Sequence, residues 1–206
     1  MRTSSPPDSR EELERQIRVH VDARRWDQAA TCALRGYGGE LLGFLHAVIG
    51  DPSEADEVFS AVCEAVWASL PKFRFESSFR TWLYGVTRNL AREHWRDRRR
   101  QRRHFAPLDG DSAAAKVAAA IRSTTAIHLR SQTKTRLQRI RDSLPPEDRM
   151  LLVLRLDRSM AWRDIARVLS EDEDLDLTRA AAHLRKRFER VKAKVAEQLR
   201  ADAAGR

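Results

Sequence analysis

The stretch that decides the fold is FRFESSFRTWLYGVTRNLAREHWRDRRRQRR, residues 73–103. Apolar residues recur in it at helical spacing, which predicts one long helix with an apolar stripe formed by Phe79, Leu83, Val86 and Leu90. A second row recurs every fourth residue and consists of Arg80, Tyr84, Arg88, Arg92 and Arg96. One side of the helix is therefore predicted to pack on a core and the other to face an anion.

The same stretch combines positive charge with aromatic rings. From residue 74 to residue 103 it carries ten arginines against three acidic residues, with Trp82, Tyr84 and Trp95 among them. Basic clusters attract phosphates, and flat rings stack on bases that have left a duplex. The alternative is that the arginines form a solvated face and the tryptophans belong to the core. Because Trp82 and Asn89 share one helix side while Tyr84, Arg88 and Trp95 share another line off the apolar stripe, we favour a nucleic-acid partner.

The composition of the whole chain agrees with such a partner. Its 206 residues carry a net charge of +9 and give a pI of about 10.3, which suits a polyanion. No apolar run approaches the roughly 20 residues that cross a bilayer, so we expect a cytoplasmic protein without membrane insertion. Cys32 and Cys63 are isolated and are expected to be buried thiols, not metal ligands. We find no catalytic or phosphate-binding motif and expect neither an enzyme nor a cofactor or metal site.

The chain before the basic helix is predicted to be helical as well. Residues 1–28 form a leader with a first helix over residues 11–21, and a second helix covers residues 29–49, its start loosened by Gly36, Gly38 and Gly39. A third helix over residues 53–70 begins with a Ser53–Asp56 capping box and has a regular apolar stripe. The outer side of this third helix, which binds either a partner or only water, carries Glu54, Glu57, Ala61 and Glu64.

The chain after the basic helix divides into a linker and a second domain. We predict an all-α fold with a first domain over residues 29–104, a linker over 105–125 that has little to pack with, and a second domain over 126–206. Within the second domain, Pro146 starts one helix and residues 162–169 start a helix-turn-helix pattern. Its last helix has an apolar stripe and a basic side that suits the DNA major groove, and the candidate DNA-contacting residues on that side are Arg179, His183, Lys186, Arg187 and Arg190.

Two stretches resemble a known family. FRFESSFRTWLYGVTRNLAREHWRDRRR is similar to the promoter-melting segment of the bacterial group 4, or extracytoplasmic-function, sigma factors of the sigma-70 family. LPPEDRMLLVLRLDRSMAWRDIARVLS is similar to the start of the second DNA-binding domain of these proteins. The resemblance implies a transcription initiation factor that binds core RNA polymerase and directs it to promoter DNA.

The resemblance also implies roles for individual residues. The helix over residues 53–70 would dock on core polymerase, and the helix beginning near Arg179 would read the minus-thirty-five element. A flipped base of the minus-ten element would enter a pocket formed by Phe73, the loop from Arg74 to Ser78, which includes Ser77, and Phe79 and Asn89. An Asn amide can donate to and accept from a base edge while a Phe ring packs on its face.

The chain differs from the family pattern at three places. Ser60 and Ala61 stand where the docking helix of the family has Gln and Glu, and Ala161 replaces a capping Ser, so that Ser159 is left to cap. The connection over residues 171–178 is about eight residues longer, and five of its first six residues are acidic. A rival interpretation is therefore a sigma-fold adaptor or regulator that binds polymerase or a regulatory protein without reading promoters. An anti-sigma partner is also compatible with the acidic connection.

The acidic connection has three possible roles. Asp176 and Thr178 could cap the last helix, or the carboxylates could form an arm that competes with DNA for the basic face, or the connection could be a solvated loop. We favour the arm, because one cap needs one carboxylate and four others remain.

Overall fold

The chain folds into helices throughout the part that the structure describes. The structure is a computed structural model covering residues 9–99, 112–129, 140–170 and 176–204. Every regular element in these ranges is helical, so the predicted all-α fold is confirmed. In chain order the main helices are α1 (Arg10–Asp22), α2 (Trp26–Ile49), α3 (Pro52–Ser69), α4 (Phe79–Arg99), α5 (Ala113–Leu129), α6 (Pro146–Leu152), α7 (Trp162–Leu169) and α8 (Leu177–Ala204). One 3-10 turn, Leu70–Lys72, follows α3, and a π-helical turn, Val153–Asp157, follows α6.

The glycines of α2 serve close packing and do not loosen the helix, contrary to the prediction. The helix runs without a break from Trp26 to Ile49. A Cβ on Gly36 would lie 2.3 Å from a methyl carbon of Leu13 on α1, and one on Gly38 would lie 2.4 Å from a methyl carbon of Ile121 on α5. The missing side chains thus let two helices approach α2, and this packing outweighs the cost of about 1 kcal/mol for a glycine inside a helix.

The third helix buries the predicted stripe but starts with a different cap. Asp51 accepts the backbone N–H of Glu54 at 2.9 Å, and Pro52 occupies the first helical turn. The predicted Ser53–Asp56 capping box is wrong because the fixed φ of Pro52 suits the first turn and moves the cap two positions earlier, to Asp51. Asp56 instead pairs with His46 on α2, at 3.0 Å from Nε2. The stripe itself is buried as expected and consists of Ala55, Val58, Phe59, Val62, Val66 and Leu70.

The predicted linker contains a packed helix. The described part of residues 105–125 belongs to α5, which lies on α2 and α3, and residues 105–111 fall outside the described ranges. Ala114 and Ala118 are buried, and Arg122 donates a hydrogen bond to the hydroxyl of Ser60 on α3. The expectation that this stretch has little to pack with is wrong, because the small side chains of α5 let its backbone approach α2 and α3 closely.

The C-terminal helices pack through aromatic and branched side chains. Pro146 lies in the first turn of α6, as predicted. The ring of Trp162 on α7 meets that of Phe188 on α8 edge-on, with 5.4 Å between centroids. Ala161 is the N-cap residue of α7 without a side-chain hydrogen bond, and Ser159 adopts a positive φ of 51°. The expectation that Ser159 caps α7 is therefore wrong.

These C-terminal helices lie directly against the first helices. The buried apolar residues of both parts form one contiguous cluster. Arg149 on α6 donates to the carbonyl oxygen of Val48 at 2.9 Å. The carbonyl oxygens of Arg158 and Leu169 accept from Arg80 and Arg88 on α4, each at 3.0 Å. We call this packing of α7 and the preceding turn on α4 the closed arrangement.

Candidate nucleic-acid interface

A cavity of about 730 Å³ opens beside the N-terminal half of α4. The loop after α3 and one side of α4 form most of its wall, and the rest is formed by the last turn of α7, Ser170 and the first residue of α8. Four residues predicted for the base pocket line it, Phe73, Arg74, Ser77 and Asn89, together with Trp82, one of the rings predicted to stack on bases. They come from a loop and from two turns of a helix, so the fold brings together residues up to sixteen positions apart.

Aromatic rings form one wall of this cavity. The ring of Phe73 lies 5.1 Å from that of Trp82 and 4.9 Å from that of Phe79, measured between centroids. Phe79 is fully buried and supports the cluster from below, whereas Phe73 and Trp82 are half-buried. Such a surface presents ring faces and edges to a planar ligand.

The polar groups of the cavity suit a nucleotide. Asn89 is exposed, its side-chain oxygen accepts from Arg88 at 3.0 Å, and its amide group leaves N–H donors and an oxygen lone pair for a ligand. Arg74 is exposed as well and supplies a cation beside the rings. Ser78, which was also predicted for the pocket, has another task, because its hydroxyl accepts the backbone N–H of Thr81 at 3.1 Å and caps α4. The cavity thus combines stacking, a base-edge partner and positive charge.

The first half of the predicted anion-facing row is buried, so that part of the prediction is wrong for the closed arrangement. Arg80 is 7% exposed and donates from Nε to Glu40 on α2 at 3.2 Å. Tyr84 is fully buried, with its ring edge-on to Phe44 at 5.3 Å. Arg88 is 3% exposed, and burial, reinforced by the charge of Arg92, lowers its pKa.

This reversal has a physical reason. An Arg side chain is buried when a carboxylate and carbonyl oxygens replace water around it, and Glu40 and the α7 region supply these groups. Val86 and Leu90, placed on the predicted core stripe, are only half-buried. Compared with the predicted apolar stripe, the buried face of α4 is thus rotated about the helix axis toward the side of Arg80 and Arg88.

The second half of the row is more accessible. Arg92 forms an ion pair with Glu147 on α6 at 3.3 Å, with both side chains about one-third exposed. Arg96 is exposed, as predicted. In the closed arrangement, Arg96 is therefore the member of the row that best fits the predicted phosphate contact.

The basic side of α8 agrees with the prediction at four of five positions. Arg179, His183, Lys186 and Arg190 are exposed and recur on one helix face. Arg187 is half-buried and pairs with Asp148 on α6 at 2.7 Å, so its predicted DNA contact is not available in this arrangement.

The start of α8 bears on the acidic connection. Asp176 accepts the N–H groups of Thr178 and Arg179 at 2.9 and 3.1 Å, so the capping role of Asp176 is confirmed. Residues 171–175 lie outside the described ranges, and the acidic arm stays a prediction.

The outer side of α3 is occupied by other helices of the same chain. Glu54 accepts from Arg98 on α4 at 2.7 Å and lies 3.1 Å from Nε2 of the buried His94. Glu54 thus holds α4 against α3, and its predicted role in docking stays a prediction. Glu57 and Ala61 are half-buried, and Glu64 is exposed. Of the four predicted docking residues, Glu64 is the most accessible in this arrangement.

Sequence reasoning missed several residues at the site. Arg167, Ser170 and Leu177 line the cavity from the second part of the chain. No local signal in the sequence could have found them, because their position depends on the closed arrangement. Glu14 was placed in a leader without chemistry, yet its carboxylate binds the first turn of α4.

Neither a metal site nor a membrane-spanning helix occurs within the described residues. Their His, Cys, Asp and Glu side chains form no group of three suited to holding a metal ion. The helices of the described ranges are too short or too polar to cross a membrane.

Comparisons with known proteins agree with this geometry. Residues 34–101, which span most of α2, all of α3 and all of α4, match the family described as sigma-70 region 2. The chain is also 28% identical over 141 residues to the RNA polymerase sigma-H factor of Pseudomonas aeruginosa, a match that covers 65% of this chain and 70% of the relative. The matched region thus contains every predicted minus-ten residue and the α3 surface.

Proposed function

We propose that this chain is a sigma-70 family transcription initiation factor of the extracytoplasmic-function group, and the match of residues 34–101 to sigma-70 region 2 and the similarity to a sigma-H factor support this proposal. It binds core RNA polymerase, directs it to specific promoters and melts the minus-ten element. The polymerase performs the chemistry, so this chain needs no catalytic residue or cofactor. Its site of action is the bacterial cytoplasm, where the polymerase works.

The observation that carries the proposal is the cavity beside α4. A melted base needs a ring to stack on, a group that reads its edge, and a cation for the adjoining phosphate. Phe73 and Trp82 supply the rings, Asn89 the edge contact and Arg74 the cation, all at one cavity. An ordinary solvated face has no reason to gather these four groups.

The exposed face of α8 supports a second DNA contact. Arg179, His183, Lys186 and Arg190 present donors along one side of a long helix whose first turn is capped by Asp176. This side is the part that enters a major groove, where Arg and Lys read guanine edges or bind phosphates. We assign it to the minus-thirty-five element.

The closed arrangement then has to open for promoter binding. Arg80 and Arg88 are covered by α7 and its preceding turn, and residues at the end of α7 and the start of α8 border the cavity. Two promoter elements read by the two parts of the chain lie far apart along DNA, so both parts cannot be engaged while α7 remains on α4. Core polymerase supplies the binding energy that separates them.

A second function is favoured by one observation. The arrangement buries part of the DNA-facing row and covers part of α3 with α5, as expected for a sigma-fold adaptor that binds a regulatory protein without reading promoters. The adaptor binds polymerase or its regulator but supports no promoter-specific transcript.

Run-off transcription separates the two functions. Purified core polymerase is incubated with genomic fragments, with and without this chain, and transcript starts are mapped. The initiation factor predicts discrete starts that require the chain. Association with core polymerase and no chain-dependent start would support the adaptor.

A further inference from the structure

The N-terminal helix α1 contacts the loop that borders the cavity. This loop, residues 73–78, joins the 3-10 turn to α4 and carries Phe73, Arg74 and Ser77. Two side chains of α1 hold it: Arg18 contacts the loop itself, and Glu14 binds the first two residues of α4 directly after it. Neither belongs to the region matched by the sigma-70 region 2 family, which begins at residue 34.

Glu14 holds the end of the loop where α4 begins. Its two carboxylate oxygens accept the backbone N–H groups of Phe79 at 2.8 Å and Arg80 at 3.0 Å. These are orphan donors of the first helical turn, where the helix dipole favours a negative charge, and α4 has no acidic residue of its own there. Ser78 satisfies the next donor, that of Thr81. The start of α4 is therefore capped jointly by Ser78, which directly precedes it, and by Glu14 of α1.

A third hydrogen bond fixes Glu14 itself. The hydroxyl of Tyr37 on α2 donates to the same carboxylate at 2.7 Å. Tyr37 is 3% exposed, and its pKa is raised by burial and by the hydrogen bond to Glu14, so it remains a donor. Glu14 thus links α1, α2 and α4 at one point. Its carboxylate is held in position by the buried Tyr37.

Arg18 holds the middle of the loop. Its guanidinium carbon lies 4.5 Å from the centre of the Phe75 ring. Phe75 adopts a φ of 56°, an unfavourable conformation for a bulky residue that needs support from its surroundings. The Phe75 ring in turn lies 4.6 Å from that of Phe73, which lines the cavity. Arg18 therefore supports the cavity wall indirectly, because it contacts Phe75 and Phe75 contacts Phe73.

We propose that Glu14 and Arg18 are positioning residues of the base pocket, which hold loop 73–78 in the shape that selects the flipped base. The proposal rests on the proposed function for its effect on base selection, but not for the contacts themselves. It assigns to α1 a part in promoter specificity, although neither side chain touches DNA. Loss of either contact leaves loop 73–78 free to move. Phe73 and Arg74 then no longer lie at a fixed distance from Asn89.

The first test measures the loop in the free chain. Amide hydrogen exchange of Phe79 and Arg80 is followed by NMR in the wild type, in Glu14→Gln, and in Arg15→Ala as the matched control. Arg15 lies on the same helix, 69% exposed, and pairs only with Glu12 among the contacts resolved for it. We expect exchange of both amides to accelerate at least tenfold in Glu14→Gln and to stay unchanged in the control. Equal protection in Glu14→Gln and wild type would overturn the role of Glu14, whatever the chain does with promoters.

The second test measures base selection by the holoenzyme. Core polymerase with each variant is bound to pre-melted minus-ten templates that differ at one base. Arg18 is exposed, so Arg18→Ala should fold normally and reduce the preference for the best base by about twofold to fivefold, the effect of one exposed cation–π contact. Arg18→Lys, which keeps a cation, should restore part of it, and Arg15→Ala should keep all of it.

The outcomes of the second test are distinguishable. An unchanged base preference in Arg18→Ala and Glu14→Gln, with a wild type that transcribes specifically, would refute the positioning role and leave the proposed function intact. A wild type without any promoter-specific transcript would refute the proposed function, and the exchange measurement would still decide whether α1 holds the loop.

Discussion

Breaking the closed arrangement should strengthen DNA binding by the free chain. The perturbation is the double variant Glu147→Gln with Arg167→Ala. Glu147 pairs with Arg92 on α4 at 3.3 Å, and Arg167 donates to the carbonyl oxygen of Glu76 in the loop before α4. The two substitutions change the net charge in opposite directions, so the net charge of the chain stays the same.

The magnitude follows from the exposure of the two contacts. The Arg92–Glu147 side chains are 33% and 37% exposed, so solvent screening leaves about 0.5 kcal/mol for their pair. The charge-assisted hydrogen bond of Arg167 adds about 1 kcal/mol. Together they shift the equilibrium between closed and open forms by roughly tenfold. If only the open form binds DNA, the apparent Kd falls by up to this factor.

The assay is fluorescence anisotropy with a labelled single-stranded oligonucleotide at low salt. The matched control is Glu11→Gln with Arg163→Ala, which makes the same charge exchange at two exposed positions, one of them on α7 itself. We expect tighter binding in the first double variant and no change in the control. An apparent Kd equal to that of the wild type in both would refute the idea that the closed arrangement limits access to α4.

Three further predictions follow from individual residues. Arg96→Ala should lower the slope of log K against log salt for holoenzyme binding to promoter by roughly one unit, without changing the melting temperature. Arg88→Ala should instead destabilise the fold, because Arg88 is 3% exposed. Equal slopes for Arg96→Ala and wild type would show that Arg96 makes no phosphate contact. Asp176→Ala should cost about 1 kcal/mol of unfolding free energy in denaturant titration through loss of the α8 cap, and a stability within 0.3 kcal/mol of the wild type would contradict this. Burial raises the pKa of Cys63 to about 12 from an ordinary 9.0, so iodoacetamide at pH 9 should leave it unmodified in the folded chain; rapid modification there would disprove the burial.

The parts of the fold that depend on local pattern could be predicted from the sequence. The stripe from Ala55 to Leu70 is buried as expected, because its spacing alone fixes one helix face. The same reasoning failed on α4, where Arg80 and Arg88 are buried. Their partners are Glu40 and the carbonyl oxygen of Leu169, which lie 40 residues before and 81 residues after them and leave no local signal.

Small residues were the second source of error. Gly38 and the alanines of α5 indicated weak structure when each was considered alone. Together they allow α5 and α2 to approach until Ile121 fills the space above Gly38. Complementarity of this kind is a property of two distant segments, and composition describes only one segment at a time.

The candidate site was predicted in part for a similar reason. Phe73 and Asn89 were expected at one pocket from the family resemblance, and they line one cavity together with Trp82, which helical spacing placed on the same side of α4 as Asn89. Glu14 was missed because a carboxylate on an amphipathic helix is usually a solvated side chain. Only the fold shows that it reaches the N–H groups of a helix 65 residues away.

The account depends most on base capture by the cavity beside α4. The direct measurement is holoenzyme binding to pre-melted minus-ten templates varied at each base, comparing the wild type with Asn89→Ala. Asn89 is exposed, but its side-chain oxygen accepts from the buried Arg88 at 3.0 Å, so the melting temperature of Asn89→Ala is measured in parallel and base preference is compared at a temperature where both proteins are folded. We predict a preference for one base at one position in the wild type, and its loss by about 1 to 3 kcal/mol in Asn89→Ala. The same base preference, at the same position and of the same size in both proteins, would contradict the account.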